Sequence, residues 1–181
     1  MTTADHLATA PEDRISIPQK SAYAVGMLVN NLQAAALPAM VVILNLGLKM
    51  DPVLVGVIGF APRIFDAVTD PMMGYISDHT RSRWGRRRPY IFGGAILAGL
   101  IFAAMWQLPA GHSESFYFWT FLGASILYFA AYTVYATPFV AFGFEMTPDY
   151  HERTRLQAFA NTLGQLAWVG VPWFYAIMAS D

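Results

Sequence analysis

Residues 62–90 read PRIFDAVTDPMMGYISDHTRSRWGRRRPY, and the fold turns on how this run is understood. It begins in an apolar segment that already carries Arg63, Asp66 and Asp70, and it ends in a basic cluster that cannot sit in lipid. On a helix the three charged positions fall at i, i+3 and i+7, a narrow stripe on one face. An ionisable side chain near mid-bilayer costs roughly 2.5 to 3.5 kcal/mol, so three on one face call for partners, a wet cavity or a task.

The rest of the chain supplies the membrane setting. Of 181 residues, 56% are hydrophobic and 13% charged, a balance too apolar for an ordinary soluble domain and suited to a multi-span helical membrane protein. A net charge of -1 gives no reason to expect a nucleic-acid partner, and the absence of cysteine excludes disulfides and thiolate metal sites. Residues 1–20 form a polar tail without the basic and apolar regions of a signal peptide. There is no glycine-rich phosphate loop, no nucleophile elbow and no histidine pair at metal spacing, so neither an enzyme nor a cofactor is expected.

Outward from the quoted run, residues 21–181 divide into five apolar segments, at about 21–48, 52–77, 90–108, 116–144 and 156–179. Each is long enough to cross roughly 30 Å of hydrocarbon. Arg14 and Lys20 precede the first; Arg81, Arg83, Arg86, Arg87 and Arg88 separate the second and third; Arg153 and Arg155 separate the fourth and fifth. The positive-inside rule then places the N-terminus in the cytoplasm and the C-terminal end outside, in a multi-pass protein of the cell (inner) membrane. The expected class is an all-α polytopic bundle of five transmembrane helices with the lipid bilayer as its first partner.

The segments differ in what they offer to a solute. From Ile91 to Met105 the third has no polar side chain and reads as lipid-facing. The first carries Asn30, Asn31 and Gln33; the fourth has Tyr128, Tyr132 and Tyr135 on one face beside Thr133 and Thr137; the fifth has Gln157, Asn161 and Gln165 on one face. Four polar-striped helices predict a lined, water-accessible site; the tyrosine stripe is expected to face it, with packing against lipid and neighbouring helices as the alternative. Pro38, Pro62, Pro71, Pro138 and Pro172 fall inside the polar-striped segments. Each frees a carbonyl one turn earlier; for Pro71 this is Ala67, between the two aspartates.

Asp66 and Asp70, one turn apart, repel when both are ionised unless Arg63 or a bound cation compensates, which is the physics of a coupling site for H+ or Na+. If sodium is the ion, Asp66 and Asp70 are its metal ligands; a packing salt bridge with Arg63 is the alternative. At the cytoplasmic edge Asp78 is placed to pair with Arg86 or Arg87 as a conformational latch, beside the plain topological role of the arginines. FEMTPDYHERTR, residues 144–155, contains a helix-start signal at Thr147-Pro148-Asp149 and otherwise reads as a solvated loop.

The run RIFDAVTDPMMGYISDHTRSRWGRRRPY, with PFVAFGFEMTPDYHERTRLQAF and KSAYAVG, resembles the glycoside-pentoside-hexuronide:cation symporters of the major facilitator superfamily, the branch that includes the melibiose carriers. The resemblance implies a secondary transporter in which Asp66 and Asp70 bind the coupling cation, Arg63 tunes their charge, and Tyr132 and Thr133 face substrate and cation. It implies a small polar solute such as a glycoside, with Asn31, Tyr132, Thr133, Asn161 and Gln165 along its path. Departures occur at Asn31 and Ala136, where melibiose carriers have carboxylates, and at Asn161, where they have arginine, so neither melibiose nor sodium is specified. Five spans make up most of one N-terminal half of such a transporter. The expected partner is therefore a missing C-terminal half or another membrane polypeptide. Two other readings stay open: a non-transporting membrane subunit, and a carrier of lysolipid or another amphiphile.

Overall fold

The computed structural model describes residues 9–107 and 111–178, and all regular elements among them are helical. The expected tail at residues 1–8 and the expected span ends at Leu108 and Ala179 lie outside the described residues. A 3₁₀ turn at Pro11–Asp13 precedes α1 (Ile17–Ala34) and α2 (Ala36–Val42), which runs into a π-helical turn at Ile43–Gly47. Four further helices follow: α3 (Pro52–His79), α4 (Arg88–Met105), α5 (Glu114–Glu145) and α6 (Tyr150–Met178). The first apolar segment is thus interrupted. Pro38 has no N–H for the Ala34 carbonyl and its ring crowds that turn, so the helix ends and restarts around Ala35.

By length and composition, Pro11–Gly47 and helices α3, α4 and α5 are apolar enough to cross a membrane. Helix α6 has 29 residues, and its first two turns carry Glu152, Arg153 and Arg155. Helix α3 stays continuous through Pro62 and Pro71, and it starts cleanly because Asp51 accepts the Val53 N–H at 2.7 Å.

The chain divides into two compact units, one running to Ala35 and resuming at Val140, the other Ala36–Phe139. In the first, α1 lies along α6. Tyr23, Ala24 and Met27 of α1 and Leu156, Ala160 and Ala167 of α6 are buried. Gly164 makes this approach possible, since a Cβ there would meet the Asn31 amide and come within 3.0 Å of Met27 Cγ.

In the second unit α2, α3, α4 and α5 enclose a core that includes Leu37, Met40, Val55, Ile58, Ala98, Phe121, Tyr128 and Phe129. Helix α4 turns Gly94 and Ala98 to this core, while Phe92, Ile96 and Leu100 are exposed on its other side. The tyrosine stripe of α5 is split by packing: Tyr128 and Tyr135 are buried and only Tyr132 is part-exposed, so most of the stripe holds helices together instead of lining a cavity.

Candidate functional site

The charged stripe of α3 meets α5 within the second unit. Arg63 places Nη1 3.3 Å from Asp66 Oδ2, and its guanidinium carbon lies 5.1 Å from the centre of the Phe129 ring. The cation is thus held by a carboxylate on one side and a π-face on the other. One turn on, Asp70 Oδ1 accepts hydrogen bonds from Thr133 Oγ1 at 2.9 Å and Thr137 Oγ1 at 3.3 Å. Thr133 is buried and Asp70 is open on its other side. Asp66 Oδ1 is buried with no hydrogen-bond partner among the described residues.

Two carboxylates, two hydroxyls and a guanidinium therefore converge on one stretch of α3. Carboxylates one helical turn apart, roughly 6 Å, repel by about 3 kcal/mol at an effective dielectric of about 20. Arg63 engages one of them directly, and Asp70 has only neutral donors. Among the described residues no group of three or more His, Asp or Glu side chains converges as a transition-metal site would require.

At the end of α3, Asp78 Oδ1 lies 2.5 Å from Arg87 Nη2, and Arg87 is buried while Arg86 is exposed. Arg87, one of the two arginines expected to face Asp78, pairs with it here. The solute-facing candidates are distributed by unit. Tyr132 and Thr133 belong to the second; in the first, Asn31 packs on Gly164 and is part-exposed, whereas Asn161 and Gln165 are exposed on α6.

The 144–155 stretch is more than a solvated loop. Asp149 does cap α6, accepting the Glu152 N–H at 2.6 Å. Glu152, however, is only 2% exposed and forms a clasp with the N-terminal segment: its Oε1 lies 2.6 Å from Lys20 Nζ and accepts the Ile15 N–H at 3.1 Å. Thr147 donates to the Asp13 carbonyl at 2.8 Å and Thr9 to Asp149 at 3.0 Å. An acid in the first turn of a helix is the local signal; its partners more than a hundred residues away are not visible locally.

The Lys20 hydrogen bond, with help from the Ile15 N–H and the nearby Lys20 and Arg155 charges, holds the Glu152 carboxyl below its ordinary value near 4.5. A depressed carboxylate stabilises the fold above its unfolded pKa and ceases to do so as pH falls through the folded value. The clasp's contribution is thus expected to be full above the ordinary value near 4.5 and to be lost as pH falls through the lower folded value. Glu152→Gln is expected to lower stability by about 1–3 kcal/mol, since Lys20 is partly solvated, and to flatten the acid limb of an unfolding curve followed by circular dichroism. An unchanged acid limb would remove Glu152 from this role.

Comparison with known proteins agrees with the helical architecture. Residues 22–179 match the family described as MFS/sugar transport protein. The chain is similar to an uncharacterized symporter, sll1374, of Synechocystis sp., with 38% identity over 102 residues, covering 54% of this chain and 19% of the relative. It is similar to the inner membrane symporter YicJ of Escherichia coli, with 32% identity over 109 residues, covering 60% of this chain and 24% of the relative. Similarity to the sodium-dependent lysophosphatidylcholine symporter 1 of Mus musculus is 29% over 163 residues, 87% of this chain and 30% of the relative. The matched region thus spans less than a third of each of these proteins.

Proposed function

The chain belongs to the MFS/sugar transport protein family, and from that premise we propose that it carries the cation-coupling half-site of a symporter for a sugar, glycoside or similar polar solute. The observation that carries this reading is the pairing of Asp70 with Thr133 and Thr137 beside the Arg63–Asp66 pair. Packing alone does not call for a second carboxylate on the same helix face. Asp66 and Asp70 hold the coupling ion, H+ or Na+, and Arg63 partly neutralises Asp66 when the ion is absent. The proposed solute-facing residues are Tyr132 and Thr133 in the second unit and, taken separately, Asn31, Asn161 and Gln165 in the first. The Asp78–Arg87 pair, with Arg86 beside it, latches the cytoplasmic end. In this reading the N-terminus is cytoplasmic, the membrane is the cell (inner) membrane, and further membrane-spanning polypeptide completes the pathway.

Ion and solute binding are then linked, so each raises affinity for the other by the same factor. The test is ion binding to the purified chain in lipid nanodiscs, with sodium and across pH, in the presence of a panel of glycosides. Saturable ion binding that tightens several-fold with one glycoside is expected. No ion binding by a folded sample would count against the proposal and favour a non-transporting subunit.

A second reading, an amphiphilic cargo, draws on the exposed apolar stripe of Phe60, Ile64, Val68 and Met72 on the same helix as the aspartates and on the lysophosphatidylcholine symporter relative. Tightening by lysophosphatidylcholine and by no sugar would select it.

A further inference from the structure

We propose that the loop joining α3 and α4 is a binding site for the phosphate of an anionic phospholipid at the membrane surface. The site is separate from the aspartate pair and its evidence does not depend on transport. Helix α3 ends at His79 and α4 begins at Arg88, so the loop is tied at both ends to spans and its side chains are held at headgroup depth.

Its shape is set internally. Gly85 takes a left-handed φ of +92° and donates its N–H to the Ser82 carbonyl at 3.0 Å, while Ser82 Oγ accepts the Trp84 N–H at 3.2 Å. The Thr80 and Tyr90 hydroxyls, 2.7 Å apart, join the two ends. Within this frame the nearby acid is already engaged, because Asp78 is paired with Arg87. Arg81, Arg83 and Arg88 are exposed, and among the described residues none of them pairs with a carboxylate. Among the described residues, these three like charges, two on a short ordered turn and one at the first residue of α4, thus have no carboxylate partner.

The tryptophan decides what kind of anion fits. Trp84 is 58% exposed, with the Arg83 guanidinium carbon 5.4 Å from its ring centre. In water an exposed indole gains nothing. At the membrane surface the ring rests among the glycerol and first methylenes of a lipid while the guanidinium on its face reaches the phosphate. A soluble phosphate would use the arginines and leave Trp84 without a role. Topogenic charge would need neither the indole nor the ordered turn.

Each basic side chain near an anionic bilayer contributes about fivefold in affinity, equivalent to about 1 kcal/mol. The test uses the purified chain in vesicles of phosphatidylcholine containing brominated phosphatidylglycerol, or brominated phosphatidylcholine as reference. Trp84 quenching is read as the difference between the native protein and Trp84→Phe. Preferential quenching by phosphatidylglycerol is expected; Arg83→Gln/Arg88→Gln is expected to reduce the preference by about 25-fold, and Arg83→Lys/Arg88→Lys to retain most of it. The charge-matched control Lys49→Asn/Arg155→Gln is expected to leave it unchanged. Equal quenching by the two lipids, or an equal loss in the control, would overturn the proposal. Displacement of the brominated lipid by millimolar inorganic phosphate would identify a soluble-anion site and also overturn it.

Discussion

Gly94→Leu is expected to prevent recovery of folded protein, and Gly94→Ala to lower stability by about 2–4 kcal/mol. The reason is geometric. A Cβ at this position would lie 2.6 Å from the Tyr135 backbone nitrogen, 2.9 Å from the Val134 carbonyl carbon and 3.0 Å from Tyr135 Cα. These are main-chain atoms of α5, so no rotamer change relieves the overlap and the helices must separate. Separation would loosen Ala98 and Tyr128, which belong to the same core. The neighbouring Gly93 is the control, because a Cβ there meets nothing within 4 Å. Gly93→Ala removes a flexible residue from a helix interior and is expected to be neutral or stabilising by up to about 1 kcal/mol. Thermal unfolding in detergent, followed by circular dichroism, separates the two. Equal behaviour of the adjacent variants would show that α4 does not meet α5 along this face.

Asp70→Asn is expected to weaken ion binding by about a hundredfold or more, because a full charge is lost next to the ion. A graded series distinguishes an ion site from a packing contact. Thr133→Val removes the shorter, buried hydroxyl bond to Asp70, and Thr137→Val removes the longer one. Losses of about fivefold to tenfold are expected for each, with the Thr133 variant the weaker binder. The readout is the rise in unfolding temperature with added ion, which reports binding to the native state and is measured against each variant's own ion-free value. If Asp70 served packing alone, Asp70→Asn would lower the ion-free temperature and leave the ion-dependent rise intact. That pattern would reject the coupling role.

Much of the molecule is legible in local pattern. Apolar length and a 3.6-residue period are properties of short stretches, so the all-helical membrane class, the uniformly apolar character of α4 and the charged stripe of Arg63, Asp66 and Asp70 follow from the chain alone. The α6 start at Asp149 is equally local, because a cap depends on a side chain and the backbone three residues on. The resemblance of the 62–90 run to a transporter family is likewise carried by consecutive residues, and residues 22–179 match the family described as MFS/sugar transport protein.

Other features depend on which helix faces meet. The hydroxyls that hold Asp70 come from positions 63 and 67 residues away. Gly93 and Gly94 are adjacent and alike in sequence, yet only one sits under a neighbouring backbone. Tyr128, Tyr132 and Tyr135 share a helical face by spacing, and packing buries two of them. Glu152 reads as a solvated acid until the N-terminal segment closes over it. Periodicity assigns a residue to a face of its own helix; the partner of that face is set by close packing between segments distant in the chain, and this the tertiary structure alone decided.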